Sequence, residues 1–407
     1  MYTTYCCCCW FLVISTSTLA LSNGHRKRVS IVTGANGYVG REVVSVLLND
    51  NNDEDADAGG DKCNDEILCL VRPNRIESET NYWERFQSSQ SSKKATVKVL
   101  PYDMLDGGKT ITDALHTALQ DGTSDDENND NSENDPAICV YHIASVFGPT
   151  EDHIKTAYDN VKGTKDLVEA LGKFPKSDCC RLVLTSSMAA VRGSGQIPNN
   201  GEYYTHHDWN TVSKLEDNNW GSSYQWSKSE SERVAWEIAK DMNIPMTTIC
   251  PSFVFGPPTT SSSGKGDINL SKSFSITLFR KWVRGESEIQ SRLFVDVRDV
   301  AKAHVAAGNK PEAIGQRFIV STEARMPSQE MAEILKEVCT ETGLSDPEEI
   351  FVDSEFQGGA IPIGSREVEA TSRINDFLGI AMTPVHETIR DMGRSLLLAE
   401  DGNIEQE

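Results

Sequence analysis

The sequence has few basic residues for its length. Its 407 residues include 39 Lys and Arg but 61 Asp and Glu, so the formal net charge is -22. A chain with this balance offers no basic stripe that could neutralise a phosphate backbone, which excludes a nucleic-acid-binding function. Hydrophobic residues make up 38% of the chain. That content is typical of a globular enzyme, and the length allows one large domain or two smaller ones.

Much of the acidity lies in two stretches, 50–66 and 121–136, that are rich in Asn, Asp and Gly and poor in apolar residues. Such segments cannot bury enough apolar surface to offset the entropy of ordering, so the composition predicts two solvated loop insertions. An acidic docking surface or a cation site is the alternative.

Paired cysteines and long apolar runs are also scarce. Four of the 11 cysteines are consecutive, at 6–9. The other seven form no CxxC pair and have no histidine at metal-ligand spacing, so neither a disulfide framework nor a metal site is predicted. One apolar run, 6–22, precedes a basic patch at 25–28. The leader at 1–24 is therefore either a signal peptide or membrane anchor, or a segment without a membrane role. We expect a cytoplasmic protein, or an endomembrane one if the leader acts as a signal or anchor.

Short apolar runs alternate with helical patterns through the first two thirds of the chain. The strands are predicted over 28–33, 66–72, 94–100, 137–144, 181–185 and 246–250, and the main helices over 38–48, 109–119, 153–171 and 224–242. Fully apolar strands indicate a parallel sheet that is covered on both faces. The expected fold is α/β, a Rossmann-type doubly wound sheet over 25–250. A smaller, mostly helical substrate-binding part follows over 251–407, with a helix over 300–307 capped by Asp299.

A glycine-rich turn follows the first strand and opens the first helix. A GxxGxxG turn in this position lets the backbone approach a pyrophosphate, which then rests on the helix N-terminus. The turn supplies six candidate cofactor-binding residues: Gly34, Asn36, Gly37, Tyr38, Val39 and Gly40.

The end of the second strand carries Arg72, with Arg75 close behind. An acidic residue there would accept hydrogen bonds from a ribose 2'-hydroxyl, whereas a guanidinium suits the 2'-phosphate. The sequence therefore favours NADP over NAD.

Three further residues carry acid–base chemistry. Tyr224 and Lys228 are spaced i and i+4, so they share one helix face. A nearby ammonium could lower the pKa of the tyrosine and also hold a cofactor ribose. Ser187 follows the fifth strand, at the sheet edge where parallel folds bind ligands, and its hydroxyl could polarise a carbonyl. A surface Tyr–Lys pair and a helix-capping serine are the alternatives.

In combination these motifs resemble the extended branch of the short-chain dehydrogenases/reductases, in particular the dihydroflavonol-reductase-like group. The similar stretches are VTGANGYVG, VYHIAS, NVKGT, LTSSMAAV, YQWSKSESERVAWEIAK, ICPSFVFGP and FVDVRDVAKAHV, and the resemblance covers about 28–340. The signature that cinnamoyl-CoA reductases carry ahead of the active-site lysine is not reproduced, which disfavours a CoA thioester.

The resemblance implies a role for each matching residue. Tyr224 would donate a proton to the carbonyl oxygen, Lys228 would tune it and hold the nicotinamide ribose, and Ser187 would orient the carbonyl. The remaining implied cofactor contacts are Asp103, Met104, Ala144, Ser145, Pro251 and Val254. Asn160 is a further candidate with a structural alternative, and His142 and Asp299 are expected to be structural. The loop 201–210 (GEYYTHHDWN) is a candidate for shaping the substrate pocket.

The predicted function is an NADPH-dependent oxidoreductase that reduces a small aldehyde or ketone to an alcohol, reversibly. Its partner would be a small carbonyl or alcohol substrate, with membrane association only through 6–22. A nucleotide-sugar epimerase or dehydratase on the same scaffold is the first alternative, and a non-catalytic dinucleotide-binding protein is the second.

Overall fold

A computed structural model of the chain describes residues 28–50, 65–88, 95–120, 137–175, 180–259, 273–352 and 361–404. The leader and most of both acidic insertions lie outside these ranges. The end of the first predicted insertion is an exception, because Glu66 belongs to a strand and is only 2% exposed. Within the same ranges, no helix is long and apolar enough to cross a membrane.

A seven-stranded parallel sheet forms the centre of the described fold. Its strands are β1 (Arg28–Thr33), β2 (Asp65–Val71), β3 (Ala95–Pro101), β4 (Ala137–His142), β5 (Cys180–Thr185), β6 (Met246–Pro251) and β9 (Arg317–Val320), and β7 (Phe253–Phe255) pairs separately with β8 (Phe294–Asp296). The sheet order is β3-β2-β1-β4-β5-β6-β9. The direction of winding reverses between β1 and β4, where doubly wound folds bind their ligands. The predicted Rossmann-type fold is confirmed.

Helices cover both faces of the sheet because the strands are apolar on both sides. They are α1 (Tyr38–Asp50), α2 (Ile76–Ser88), α3 (Lys109–Gln120), α4 (His153–Lys173), α5 (Met188–Val191), α6 (Trp220–Asp241), α7 (Phe274–Val283), α8 (Val297–Asn309), α9 (Ser328–Thr342), α10 (Thr371–Leu378) and α11 (Val385–Ile404). One core contains residues of α3, α4 and α6, and the opposite core contains residues of α1, α2 and α8. A third core gathers α7, α9 and α11 beside the two short strands.

The chain beyond residue 250 contributes to the main sheet as well as to the third core. Strand β9 pairs with β6 in parallel, and Phe318 lies beside Ile249 in the register. Helix α8 packs against α1. The division at residue 250 therefore does not separate the sheet from the segment that follows it. After the short β7–β8 pair, the chain returns to the main sheet as β9 and forms one edge of it.

The predicted cap of the eighth helix is wrong by three residues. Helix α8 begins at Val297, and the Asp296 side chain accepts a hydrogen bond from the Arg298 N–H. Asp299 lies inside the first turn and is fully buried. Its carboxylate accepts hydrogen bonds from the N–H and hydroxyl of Thr383, at 2.6 and 2.9 Å. Asp299 is thus structural, because it fixes the segment that leads into α11.

Candidate active site

The glycine turn brings the start of α1 against the end of β4. Gly34 has φ +68°, and a Cβ there would lie 3.1 Å from the backbone N and Cα of Ala144. A Cβ on Gly40 would lie 2.1 Å from the Gly34 carbonyl oxygen, so only glycine fits. The Gly37 N–H donates to the same carbonyl at 2.8 Å. The helix N-terminus is therefore open to a ligand lying between β1 and β4.

A cleft of about 1340 Å³ lies along the carboxyl ends of the strands. With the exception of the candidate Asn160 and the loop 201–210, the site residues predicted from the sequence line it: Gly34, Asn36, Gly37, Tyr38, Val39, Gly40, Arg72, Arg75, Asp103, Met104, Ala144, Ser145, Ser187, Tyr224, Lys228, Pro251 and Val254. Their roles remain predictions, but the fold brings all of them to one surface.

Arg72 and Arg75 lie at the β2 end of this cleft. Arg72 is exposed at the start of a short 3-10 turn, and Arg75 lies in that turn. The Tyr38 phenol instead donates to the Gly256 carbonyl and is nearly buried, so it ties the glycine turn to the β7–β8 region. Asp103 closes its own loop by accepting a hydrogen bond from the Leu105 N–H at 2.9 Å.

The acid–base residues meet at the end of β5. The Tyr224 hydroxyl lies 3.4 Å from the Ser187 hydroxyl, within hydrogen-bond distance. Ser187 also caps α5, because its Oγ accepts a hydrogen bond from the Ala189 N–H at 3.1 Å. The Lys228 Nζ donates to the Ser145 hydroxyl at 3.1 Å and to the Thr185 carbonyl at 3.3 Å. The capping alternative for Ser187 is thus correct without excluding a second role.

The electrostatics differ from the expectation that Lys228 lowers the pKa of Tyr224. Burial raises the pKa of Tyr224 to about 12, and the Ser187 hydrogen bond opposes this only in part. Burial also lowers the pKa of Lys228 to about 8, against the attraction of Cys250 and Glu232. Without a ligand the tyrosine is therefore a protonated donor at neutral pH. The hydrogen bonds of Lys228 go to Ser145 and Thr185 instead of to the Tyr224 phenol.

Two polar residues behind the cleft are structural, as expected for His142. Its Nδ1 lies 2.9 Å from the Thr33 hydroxyl, and burial lowers its pKa to about 3, so it stays neutral. Asn160 accepts a hydrogen bond from the Val146 N–H at 2.9 Å and donates to the Val146 carbonyl at 3.0 Å. Through the oxygen and the nitrogen of its side-chain amide, Asn160 thus holds the loop that follows β4.

An aromatic wall surrounds Tyr224, and sequence reasoning missed it. The wall consists of Phe147, Trp220, Phe253 and Phe274. The ring of Phe147 lies 4.7 Å from that of Tyr224 and 5.3 Å from that of Phe274. These residues come from four separate segments, so no spacing in the sequence marks them as one surface. Phe253 alone lies in a stretch that carried the family resemblance.

The loop 201–210 does not shape this cleft, contrary to the expectation. None of its residues lines the cleft in the described structure. It packs behind β6 and β9, where the carbonyls of His206 and Asp208 accept hydrogen bonds from Arg317. The Arg317 guanidinium also lies over the Trp209 ring, 3.9 Å from its centroid. The carbonyls and the Trp209 ring of this loop therefore stabilise the buried charge of Arg317.

Comparisons with known proteins identify the family of the chain. The sequence profile of the NAD dependent epimerase/dehydratase family matches residues 83–321. The NADPH-dependent methylglyoxal reductase GRE2 of Saccharomyces cerevisiae is 26% identical over 401 residues, 91% of this chain and 98% of the relative. Cinnamoyl-CoA reductase CAD2 of Medicago truncatula is 30% identical over 269 residues, 63% of this chain and 72% of that protein. An uncharacterised oxidoreductase of S. cerevisiae is 33% identical over 206 residues, and this chain spans 59% of its length.

Solved structures extend the agreement to the fold. The yeast methylglyoxal/isovaleraldehyde reductase Gre2 complexed with NADPH superposes with a TM-score of 0.69 at 25% identity, over 92% of this chain and 99% of the other. Gre2 of Candida albicans in complex with NADPH has a TM-score of 0.69 at 22% identity, over 91% and 99% of the two chains. The family profile, the sheet order and the relatives agree. The chain therefore belongs to the NAD dependent epimerase/dehydratase family, in the extended short-chain dehydrogenase/reductase branch that holds the dihydroflavonol-reductase-like enzymes.

Proposed function

We propose that this protein is an NADPH-dependent reductase that converts an aldehyde or ketone to the alcohol, and the alcohol back in the reverse direction. One observation carries the proposal: the Tyr224 hydroxyl lies 3.4 Å from that of Ser187 in the cleft that the glycine turn opens. A carbonyl oxygen between these two hydroxyls would receive two hydrogen bonds. The curated relatives named as NADPH-dependent reductases support the same reaction class.

The residues at the β2 end fit a dinucleotide with a 2'-phosphate. Because Gly34 has no side chain, the turn packs closely against Ala144. A pyrophosphate would rest on the N-terminus of α1 that this turn opens. Arg72 and Arg75 would pair with the 2'-phosphate, because a guanidinium matches phosphate oxygens and a carboxylate would repel them. Asp103, Met104, Ala144, Ser145, Pro251 and Val254 would complete the cofactor groove.

In the proposed reaction the protein would position the substrate and protonate its carbonyl oxygen. When bound, NADPH supplies the hydride that reduces the carbonyl carbon. Tyr224 would give its phenolic proton to the carbonyl oxygen, and its raised pKa keeps that proton in place until then. Ser187 would hold the oxygen by a hydrogen bond, and Lys228 would hold the ribose beside Ser145. In the oxidation direction the phenolate form of Tyr224 would accept the alcohol proton and return to the phenol.

The two parts of the chain would divide this work. Residues 25–250 would bind the cofactor and supply the acid–base groups, and residues 251–407 would form the substrate-binding part. The contribution of Phe253 and Phe274 to the aromatic wall supports the second assignment. The return of β9 to the sheet means that the two parts would fold as neighbours that share one core.

A substrate panel tests the reaction class. Purified protein would be incubated with NADPH or NADH and with methylglyoxal, isovaleraldehyde, cinnamaldehyde or UDP-glucose, while NADPH absorbance and sugar products are followed. We expect oxidation of NADPH with at least one carbonyl and no conversion of the nucleotide sugar. Epimerised sugar without net consumption of NADPH would favour the epimerase alternative. Dinucleotide binding with no turnover of any compound would favour a non-catalytic protein.

A further inference from the structure

We propose that the substrate end of the cleft binds an anionic oxygen group, carboxylate or phosphate, through Arg292. The substrate would then be a carbonyl compound in which an apolar spacer separates the carbonyl from the charged group. This inference rests on the proposed function, since it names the substrate class of the same site.

The charge of the cleft is opposite to that of the whole protein. The chain carries a net charge of -22, yet five guanidinium groups and one ammonium group line the cleft. They belong to Arg72, Arg75, Arg192, Arg292, Arg325 and Lys228. The carboxylates among the described lining residues are Glu79 and Asp103, and Glu79 is already paired with Arg41 at 2.8 Å. The cleft therefore attracts anions. The cofactor phosphates would explain the positions of Arg72 and Arg75 only. They would not explain Arg192, Arg292 and Arg325, which lie at the other end of the cleft.

Among the residues that the structure describes, Arg292 is the arginine at that end that no carboxylate neutralises. A guanidinium N–H donates to the amide oxygen of Gln290, and the group lies 4.9 Å from the Phe253 ring centroid. Among the described residues it forms no ion pair, and its buried Nε has no hydrogen-bond partner. Burial lowers the pKa of Arg292, with no charged neighbour to oppose this. A buried donor that is left unsatisfied is costly, which favours an acceptor from a ligand.

The neighbouring arginines share one carboxylate. Arg325 pairs with Glu367 at 2.6 Å, and Arg192 lies 3.3 Å from the other oxygen of Glu367. The backbone of Arg292 forms an antiparallel bridge with Met326, the residue after Arg325. In the described part of the chain, three guanidinium groups thus line this end of the cleft, and one carboxylate, that of Glu367, pairs with two of them. The remaining positive charge belongs largely to Arg292.

A series of ring contacts connects Arg292 to the reacting end. The Tyr224 ring lies 4.7 Å from Phe147, and the Phe147 ring lies 6.1 Å from Phe253, over which Arg292 lies. A substrate whose carbonyl reaches Tyr224 could lay an apolar or aromatic spacer along these rings and place its anionic end at Arg292. A 2-oxo acid would not suit this arrangement, because its carboxylate is bonded directly to the carbonyl carbon.

Charged and neutral substrate pairs test the proposal. The unmodified enzyme with NADPH would be assayed on 4-carboxybenzaldehyde against methyl 4-formylbenzoate. A second pair, 4-formylphenyl phosphate against 4-methoxybenzaldehyde, distinguishes phosphate from carboxylate as the source of the charge. We expect a higher kcat/KM for the charged member of one pair. In Arg292→Met the charged-to-neutral ratio should fall by about tenfold or more, the size of a lost charge-assisted hydrogen bond.

Controls separate this inference from the proposed function. Arg394→Met removes an exposed guanidinium that pairs with Glu341 outside the cleft, and it should leave the ratio unchanged. Arg292→Lys should restore part of the preference, because charge remains while the planar fork is lost. Turnover of neutral carbonyls with a ratio that Arg292→Met does not alter would overturn this inference alone. Failure to oxidise NADPH with any carbonyl would overturn the proposed function and this inference together.

Discussion

The phenol of Tyr224 and the ammonium of Lys228 are one helical turn apart but have different partners. Tyr224 contacts Ser187 at 3.4 Å, whereas Lys228 donates to Ser145 at 3.1 Å. In the proposed reaction the first contact would hold a substrate oxygen, whereas the second lies in the groove beside the glycine turn. The two residues of the YxxxK pattern can therefore be tested separately. Tyr224 is tested by its effect on the chemical step, and Lys228 by its effects on stability and on cofactor binding.

Tyr224→Phe should abolish most carbonyl reduction while leaving NADPH binding intact. The ring still packs on Phe147, and Arg72 and the glycine turn are untouched, so only the proton donor is lost. Turnover should fall by about 10²–10⁴-fold, the contribution of a positioned general acid. Steady-state kinetics and NADPH fluorescence titration measure the two effects. Tyr158→Phe on α4, which is 55% exposed and outside the cleft, is the matched control. Near-normal reduction by Tyr224→Phe would sink the catalytic assignment.

Arg72→Asp should reverse the cofactor preference. A carboxylate at this position would repel the 2'-phosphate and accept a hydrogen bond from a 2'-hydroxyl, so the Kd for NADPH should rise by about tenfold or more. The Kd for NADH should stay the same or fall. Calorimetric titration of both nucleotides measures the change, and Arg85→Asp on the exposed side of α2 is the control. Equal affinities for NADPH and NADH in the unmodified protein would contradict the NADP assignment.

The sequence predicted the cleft better than it predicted the electrostatics. The sheet and the glycine turn depend on local patterns, apolar runs and Gly34 with Gly40, which the chain order displays directly. The aromatic wall and Arg292 depend on which distant segments meet at the cleft, and no local spacing records that. The pKa of Tyr224 depends on burial, which the YxxxK spacing does not reveal. For the same reason β9, far from the other strands in sequence, was not predicted as part of the sheet.

Lys228→Met should stabilise the ligand-free protein at neutral pH, although it would weaken cofactor binding. The pKa of Lys228 is about 8 in the fold against an ordinary value of 10.5. Below pH 8 both folded and unfolded chains hold the proton, and the buried charge costs stability in full. Between pH 8 and 10.5 the unfolded chain binds more protons, so the unmodified protein gains stability as the pH rises. The advantage of the variant should therefore be largest below pH 8 and shrink towards pH 10.5.

Thermal unfolding across this pH range measures the Lys228→Met effect. Lys240→Met, at an exposed position of the same helix α6, is the control and should show no such pH dependence. The loss of the two Lys228 hydrogen bonds reduces the net gain but does not change its dependence on pH. A variant advantage that is constant from pH 7 to pH 10.5 would contradict the lowered pKa.

Glu232→Ala should be among the most destabilising single changes in the chain. The carboxylate is fully buried on α6 and pairs with Arg317 at 2.7 Å, and it also accepts a hydrogen bond from Ser186 at 2.6 Å. Its removal leaves the Arg317 charge buried without a carboxylate, with backbone carbonyls and the Trp209 ring as its described contacts, which costs about 3–5 kcal/mol. Although burial opposes it, Arg317 holds the pKa of Glu232 below its ordinary value of 4.5. The carboxylate therefore stabilises the fold above that pH and loses this effect as the pH falls through the folded pKa. The difference in the free energy of unfolding between the unmodified protein and Glu232→Ala should therefore narrow in acid.

Urea unfolding at pH 7 measures the loss of stability in Glu232→Ala. Glu230→Ala removes a partly exposed partner of Arg233 on the same helix and should change the free energy of unfolding by less than about 1 kcal/mol. A Glu232→Ala loss no larger than that of Glu230→Ala would show that the buried pair does not hold α6 against the sheet.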